Sequence, residues 1–173
     1  MATLTRIVFA AVSVIISASV VAAAEDHRDG RSGIMSGATS KAYLKECGSC
    51  HLAYQPQFLP KRSWEKIINS LDRHFGDDAA LDAQTRTEIL NYAVTNSAET
   101  SSAKISRKML ASLGNADTPL RISDTPYFKR KHREVRPEIF TRKSVGSPAN
   151  CLACHPAAEK GDYDEHKVKI PRK

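Results

Sequence analysis

The chain has 173 residues, of which 41% are hydrophobic and 26% are charged, and its formal net charge is +7. This length suggests one or two small domains. No stretch after residue 24 is apolar enough to span a membrane, so we expect the mature protein to be soluble. The excess positive charge lies in one part of the chain, because residues 25–120 carry 12 basic and 12 acidic side chains while residues 121–173 carry 13 and 7.

The N-terminus has the pattern of a secretory signal peptide. Residues 1–24 start with a basic stretch that ends at Arg6, continue with an apolar run from Ile7 to Val21, and finish with three alanines. The apolar run is shorter than the ~20 residues that a membrane-spanning helix needs, and the small residues suit cleavage. We therefore expect the segment to be removed after about Ala24.

The first of two motifs with the same cysteine and histidine spacing follows this segment. Residues 25–40 are polar and contain glycine, so we expect a flexible N-terminus there. A short helix is predicted from Lys41 into Cys47-Gly-Ser-Cys50-His51. That string reads C-x-x-C-H, the spacing for covalent attachment of a c-type haem. The thiols of Cys47 and Cys50 can each form a thioether to one haem edge, and His51 can bind the iron as the proximal ligand.

A loop and an apolar helix come next. Two prolines disfavour a helix over residues 52–60, and Ser63 is the predicted N-cap of a helix over residues 64–75. Apolar residues at spacings of three and four indicate a buried face on this helix; they are Trp64, Ile67, Ile68, Leu71 and Phe75. His74 is expected on the same face, and Gly76 should end the helix.

Two more helices complete the predicted N-terminal part. Asp82 is expected to cap the third helix, and a fourth helix is predicted over residues 103–113. Met109 on the fourth helix is a possible thioether ligand to the iron, since it lies 58 positions after His51. Methionine also fills cores readily, and we favour core packing for Met109. Residues 115–120 are the predicted linker to the second part.

The second part contains short, punctuated elements. Thr125-Pro126 is predicted to start a helix that carries His132, with proline at its first position. Ser147-Pro148 is predicted to start a helix that holds Cys151–His155. The tail over residues 161–171 alternates apolar and basic residues near its end, which indicates a short extended segment.

The second motif is Cys151-Leu-Ala-Cys154-His155, so the two motifs use all four cysteines, and His155 is the second proximal candidate. Zinc ribbons usually separate their cysteine pairs by about 15–20 residues, whereas Cys151 lies 104 positions after Cys47. Two disulfides are possible in an exported protein, but they would not explain either histidine. The sequence therefore indicates two covalently bound c-type haems. Haem is attached to such motifs after export, so we expect a bacterial periplasm.

With their flanking residues, the two motifs resemble the dihaem cytochrome c family. The matching segments extend over about residues 41–172; they are Cys47–His51, Leu59-Pro60, Ser63-Trp64, His74-Phe75-Gly76, Thr125-Pro126, His132-Arg-Glu, Ser147 to Lys169 and Ile170-Pro171-Arg172. The resemblance implies a mainly α fold, with a class I cytochrome c-like domain over residues 41–114 and a small, irregular second haem domain over residues 121–173. It also implies bis-histidine iron in both domains. Family members can draw electrons from a membrane b-type cytochrome and pass them to a small oxygen-binding haem protein.

The remaining histidines supply the candidates for the second ligand of each iron. His74 is favoured for the first iron by its predicted apolar face and by the resemblance. For the second iron, His132 is favoured over His166, because it follows aromatic residues on a helix that starts with proline, while His166 lies in a charged tail. Both remain available to the second iron. His27 lies in the polar N-terminus.

Two histidines on each iron would leave no open coordination position, which favours an electron carrier over an enzyme. Such ligation also gives a lower reduction potential than a His/Met pair. The alternatives are a dihaem peroxidase-like enzyme or a ligand-binding haem sensor, either of which needs one open iron. A cluster of basic residues surrounds His132 in sequence: Lys129, Arg130, Lys131, Arg133 and Arg136. This basic cluster predicts an acidic redox partner that docks near the second haem, and nucleic acid is not expected as a partner.

Overall fold

The computed structural model describes residues 40–172. The predicted signal peptide and all but the last residue of the predicted flexible N-terminus lie outside the described residues. Within them the helices are α1 Lys41–Cys47, α2 Lys61–Ile68, α3 Ala83–Thr95, α4 Lys104–Ala111, α5 Pro126–Lys131 and α6 Pro137–Phe140. No β-strand occurs between residues 40 and 172, and the mainly α prediction is confirmed. None of the helices in that range has the length and apolarity needed to cross a bilayer.

Short 3-10 turns separate the helices. They are Pro56–Phe58, Leu71–Arg73, Ile122–Asp124, Cys151–Ala153, Ala158–Lys160 and Glu165–Lys167. Four of the turns lie beyond residue 120, so the C-terminal part has little regular structure of its own. This part therefore depends on side-chain contacts to hold its shape.

Two predicted helix starts are confirmed by their capping hydrogen bonds. The Asp82 carboxylate accepts hydrogen bonds from the backbone N–H groups of Gln84 and Thr85, each at 3.0 Å. The Thr125 hydroxyl accepts one from the Phe128 N–H at 3.2 Å, and Pro126 occupies the first helical position. Both caps satisfy N–H groups that have no partner inside the helix.

The predicted helix over residues 64–75 is wrong at both ends. The helix begins at Lys61 after Pro60, and Ser63 lies inside it as a fully buried residue instead of serving as its N-cap. It ends at Ile68, and beyond it the Ser70 backbone is not helical, with the Ser70 hydroxyl donating to the Lys66 carbonyl at 2.7 Å. Such side-chain bonds compete with the helix ladder. His74 therefore lies beyond α2 in a turn and is not on a helix face.

The predicted helix from Ser147 through the second motif is also wrong. Only a 3-10 turn forms there, over Cys151–Ala153. The Ser147 hydroxyl accepts a hydrogen bond from the Ala149 N–H at 3.2 Å, and the Ala149 carbonyl accepts one from the Cys151 N–H at 2.9 Å. These local bonds occupy backbone and side-chain groups in turns, so a longer helix does not start.

The remaining boundaries differ by smaller amounts. The fourth helix spans Lys104–Ala111, inside the predicted range of 103–113. The tail contains the 3-10 turn Glu165–Lys167, after which Val168 is extended. The Lys169 N–H then donates to the Cys154 carbonyl at 2.9 Å, so the tail is anchored to the second motif. No strand forms in the described part of the tail.

The main hydrophobic core lies between α1, α2 and α3. Its buried residues are Tyr43, Leu59, Trp64, Ile68, Ile89 and Ala93. The Trp64 Nε1–H donates to the Pro56 carbonyl at 2.7 Å, and the Tyr43 hydroxyl donates to the Tyr54 carbonyl at 2.5 Å. Both bonds fix the loop after the first motif onto the core. Buried aromatic groups need such partners, and here the partners are the backbone that leads away from His51.

A second buried cluster joins the two predicted parts. Phe58 follows the first motif, Met109 lies on α4, and Tyr127 lies on α5. Each has an exposed fraction of 5% or less. The N-terminal residues therefore form part of the surroundings of the second motif. The domain boundary at residues 115–120 stays a prediction.

Candidate haem sites

The first motif begins at the last residue of α1. Cys47 is half-buried at the helix end, while Cys50 and His51 are exposed. Gly48 follows Cys47 because a Cβ atom at this position would overlap the Leu44 carbonyl oxygen. Burial raises the pKa of the Cys47 thiol to about 11. The four cysteines form no disulfide within the described residues.

The imidazole rings of His51 and His74 lie next to each other in nearly parallel planes. Their centroids are 6.1 Å apart and their planes are inclined by 24°. The His51 Nδ1 lies 2.7 Å from the Leu52 carbonyl oxygen. A carbonyl only accepts hydrogen bonds, so Nδ1 carries the proton and the Nε2 lone pair is available for a metal.

A tight turn holds His74 in this position. The His74 N–H donates to the Asp77 carbonyl at 2.8 Å, and the Asp77 N–H donates back at 3.1 Å. Phe75 between them has a left-handed φ of 56° and Gly76 has a φ of 111°. The Phe75 ring contacts the imidazole at a centroid distance of 4.8 Å, and the Arg121 guanidinium lies 3.9 Å above that ring. Desolvation, followed by the nearby His51, lowers the pKa of His74 and so favours the neutral, metal-binding form.

The second motif lies on the 3-10 turn Cys151–Ala153, and the His155 N–H donates to the Cys151 carbonyl at 2.8 Å. Burial raises the pKa of the Cys151 thiol to about 11. The His155 Nδ1 is buried and has no hydrogen-bond partner among residues 40–172. Burial also lowers the pKa of His155, with a smaller contribution from His132. A buried, neutral imidazole at this position suits a metal ligand.

His132 lies opposite His155 at the C-terminal end of α5. The ring centroids are 6.1 Å apart and the planes are inclined by 76°. The His132 Nδ1 lies 2.9 Å from the Phe128 carbonyl oxygen, which only accepts, so Nδ1 carries the proton and the Nε2 lone pair is available for a metal. The Phe128 and His132 rings also stack, with their centroids 3.9 Å apart. Burial lowers the pKa of His132. Helix α5 thus positions its terminal histidine through both the backbone and an aromatic ring.

The separation within both histidine pairs fits a single metal ion. Imidazole nitrogens bind metals at about 2 Å, so two rings on opposite sides of one ion have centroids roughly 6 Å apart. The observed value is 6.1 Å in both pairs. In each pair, one histidine also has a Nδ1–H that donates to a backbone carbonyl, which orients metal-binding imidazoles. The residues present therefore fit two haem irons.

A cavity of about 210 Å³ lies around the second pair. Most of its lining is apolar; the lining residues are Tyr54, Phe58, Ile105, Met109, Ile122, Tyr127, Phe128, Lys131, His132, Val135, Phe140, Val145, Pro148, Asn150, Cys151, Cys154, His155, Tyr163, Glu165, Val168 and Ile170. Both cysteines and both histidines of the second site thus open into one space. An apolar space with attachment thiols and facing imidazoles fits a porphyrin.

The structure separates the remaining candidates. His166 is exposed and does not line the cavity, although its neighbour Glu165 does. Met109 lines the cavity, but it is 1% exposed and packs against Phe58 and Tyr127 in the second cluster, as expected for a core residue. His27 lies outside the described residues.

Three residues near the motifs were not singled out from the sequence. Tyr54 stacks on His51 with a centroid distance of 5.1 Å. Gln55 is 4% exposed. Tyr163 lies 5.4 Å from His155 and donates its hydroxyl hydrogen bond to Gln55. An aromatic residue three positions after a haem-binding histidine is a local signal for Tyr54, but no local pattern links Gln55 to Tyr163.

Comparisons with known proteins agree on one family. The family model for dihaem cytochrome c matches residues 43–163. A diheme cytochrome c from Rhodobacter sphaeroides is 42% identical, with 72% of this chain and 97% of that chain covered and a TM-score of 0.65. A diheme cytochrome type c from Shewanella baltica OS155 is 35% identical, with 76% and 93% covered and a TM-score of 0.62. No curated protein matches the chain.

Proposed function

This chain belongs to the dihaem cytochrome c family, and on that premise we propose that it carries electrons in the periplasm from a membrane b-type cytochrome to a soluble haem protein. Membership implies two covalently bound c-type haems and a role in electron transfer. Each haem, when bound, takes up and releases one electron at its iron. The donor, the acceptor and the compartment are the parts that we propose.

We assign the haem-binding residues from the geometry of the two sites. Cys47 and Cys50 hold the first haem, with His51 and His74 as its axial ligands. Cys151 and Cys154 hold the second, with His155 and His132 as its axial ligands. The observation that carries this assignment is the same 6.1 Å separation within both histidine pairs. The cavity around His132 and His155 supports the choice of His132 over the exposed His166.

Bis-histidine ligation favours an electron carrier over an enzyme. An iron with two imidazole ligands has no open position for oxygen, peroxide or another small ligand. Axial ligand identity also sets the potential, and two histidines give a lower value than His/Met. Low-potential, closed irons suit a protein that only relays electrons.

The basic cluster around His132 supports an acidic partner at the second haem. Lys129, Arg130 and Lys131 are exposed on the last turn of α5, the helix that presents His132. Lys131 pairs with Glu165 at 3.6 Å, and Arg136 pairs with Glu138 at 3.1 Å. Exposed ion pairs of this kind contribute little to stability, so acidic side chains of a partner can compete for Lys131 and Arg136. We propose that this partner is an oxygen-binding cytochrome and that the second haem is the exit for electrons.

Carbon monoxide tests the closed coordination of both irons. Addition to the fully reduced protein should leave the Soret band almost unchanged, because neither iron has a free position. A large shift that corresponds to one haem would overturn the proposal. That result would favour a dihaem peroxidase-like enzyme or a ligand-binding haem sensor instead.

A further inference from the structure

The loop after the first motif makes contacts with both sites. We propose that Tyr54, Gln55 and Tyr163 form the internal electron-transfer connection between the two haems. This inference rests on the ligand assignment proposed above. It concerns transfer within one molecule, and it is independent of the partner that docks on the surface.

Tyr54 lies between the first proximal histidine and the second motif. Its ring stacks on His51 with a centroid distance of 5.1 Å and an interplanar angle of 25°. Its hydroxyl donates a 2.6 Å hydrogen bond to the Ala149 carbonyl, two residues before Cys151. The same side chain lines the cavity of the second haem. One phenol ring therefore contacts a ligand of the first iron and the wall around the second.

Gln55 continues the connection from the backbone of Tyr54. Its side-chain amide is buried, and both ends are bonded: Nε2–H donates to the Ala158 carbonyl at 2.8 Å, and Oε1 accepts from the Tyr163 hydroxyl at 2.7 Å. A buried amide that satisfies both groups is held in one orientation. Gln55 thus fixes Tyr163 relative to the first motif across 108 positions of sequence.

Tyr163 completes the connection at the second proximal histidine. Its ring centroid lies 5.4 Å from that of His155, and the edge of the ring packs on Phe58 at 5.1 Å. The sequence of contacts is therefore His51, Tyr54, Gln55, Tyr163, His155. Each step is a ring contact, a covalent bond or a short hydrogen bond, without a gap of the size of a side chain.

Such continuity matters because electron tunnelling is slowed most by gaps between groups. The transfer moves one electron from one iron to the other, so one iron is oxidised as the other is reduced. No bond is made or broken and no proton is required. The three residues serve as positioning residues: Tyr54 and Tyr163 contact the histidine ligands and line the cavity, Gln55 holds Tyr163, and none of them undergoes a chemical change.

Intramolecular transfer in the two-haem protein tests the connection. One haem is reduced by a flash with an external photosensitiser, and re-equilibration between the haems is followed by absorbance. Tyr54→Leu should slow this rate by about tenfold or more, the size of effect that residues supporting a metal ligand usually have. Tyr163→Phe keeps the ring but removes the bond to Gln55, and it should slow the rate several-fold. Tyr54→Phe keeps the stacked ring and should retain most of the rate.

Tyr92→Leu is the matched control, because Tyr92 packs against Tyr43 in the main core and contacts neither histidine pair in the described contacts. Both reduction potentials and both low-spin spectra are measured for every variant, so that a change in driving force is not taken for a change in coupling.

A purely structural role of the three residues would alter the stability of the protein without slowing electron transfer at equal driving force. Rates for Tyr54→Leu and Tyr163→Phe equal to that of Tyr92→Leu would overturn the proposal and indicate direct haem-to-haem transfer. If Tyr54→Leu does not fold, Tyr163→Phe decides the question alone. The carbon monoxide test does not depend on whether these variants slow the transfer between the haems. Rejection of the proposed connection can therefore be told apart from rejection of the proposed function.

Discussion

The planes of His132 and His155 are inclined by 76°, although their centroids have the same 6.1 Å separation as the nearly parallel pair His51 and His74. The orientation of each imidazole plane determines how its π orbitals overlap with the d orbitals of a bound iron. Parallel planes separate the energies of those d orbitals, whereas perpendicular planes leave two of them nearly equal. On the proposed ligand assignment, the two irons should therefore differ in electronic structure although all four ligands are imidazoles.

Electron paramagnetic resonance of the fully oxidised protein should show this difference. We expect one rhombic low-spin signal from the His51–His74 iron and one signal with a single large g value from the His132–His155 iron. Cys154→Ala, which weakens attachment at the second site only, should reduce the second signal selectively. Two rhombic signals of equal shape would contradict the observed ring orientations.

Replacement of His132 and of His166 should show which of the two histidines is the ligand of the second iron. His132→Ala opens the second iron, so carbon monoxide should then shift the Soret band of one haem. His166→Ala is the control and should leave both haems low-spin, because His166 is exposed and lies outside the cavity lining. The reverse outcome would assign the ligand to His166 and would require the tail to rearrange.

Loss of the Thr125 hydroxyl should destabilise the helix that presents His132. Thr125 is fully buried; its hydroxyl donates to the Ile122 carbonyl at 2.7 Å and accepts the Phe128 N–H. We expect Thr125→Ala to lower the free energy of unfolding by about 1–2 kcal/mol, the usual value of an N-cap. Thr141→Ala is the control, because its hydroxyl bonds only the Glu138 carbonyl in an exposed position, and it should change stability by less than about 0.5 kcal/mol. Denaturant unfolding of the haem-containing protein measures both, and equal values would show that the cap does not stabilise α5.

Substitution of Met109 should affect stability without changing either iron. Met109→Ala removes a buried side chain between Phe58 and Tyr127 and should cost about 2–5 kcal/mol. Met109→Leu nearly conserves volume and should cost less than about 1.5 kcal/mol. Neither variant should shift a reduction potential in the way that loss of an axial thioether would. A large fall in the potential of one haem in Met109→Leu would identify Met109 as a ligand.

Neutralisation of the basic cluster should slow the encounter with an acidic partner. The triple variant of Lys129, Arg130 and Arg133 to Gln should reduce the bimolecular rate of electron transfer to an oxygen-binding cytochrome and weaken its salt dependence, while both haem spectra stay intact, because none of the three lines the cavity. The control replaces Lys61, Lys66 and Arg86, exposed on α2 and α3, with Gln and has the same change in net charge. Equal rates in the two triple variants would show that the cluster is only a solvated surface.

Local chemistry explains which parts of the fold could be predicted. The caps at Asp82 and Thr125 depend on side chains within three residues, and the sequence predicts both correctly. The helix predicted through His74 ends at Ile68, because the Ser70 backbone leaves the helical region. The apolar spacing of three and four residues continues to Phe75, beyond the end of the helix.

The facing histidines were predicted for a reason that was only partly correct. His74 was expected on a helix face, whereas a turn with a left-handed Phe75 brings it to His51. The contact between Gln55 and Tyr163 spans 108 positions and depends on how the C-terminal part packs, which no local pattern encodes. The motifs were detectable because attachment chemistry fixes their spacing, while the residues between them are fixed only by packing.

The shared walls of the second cavity have a consequence for biogenesis. Phe58, Ile105 and Met109 precede the second motif by dozens of residues, and they line the same cavity as residues from Ile122 to Ile170. If the chain is exported with its N-terminus in front, as the signal-peptide pattern predicts, the motif at Cys47 emerges 104 residues before the motif at Cys151. On the predicted export route, the haem-attachment machinery would therefore meet two different substrates: a motif at the end of a short helix, and later a motif whose cavity is partly lined by residues already exported.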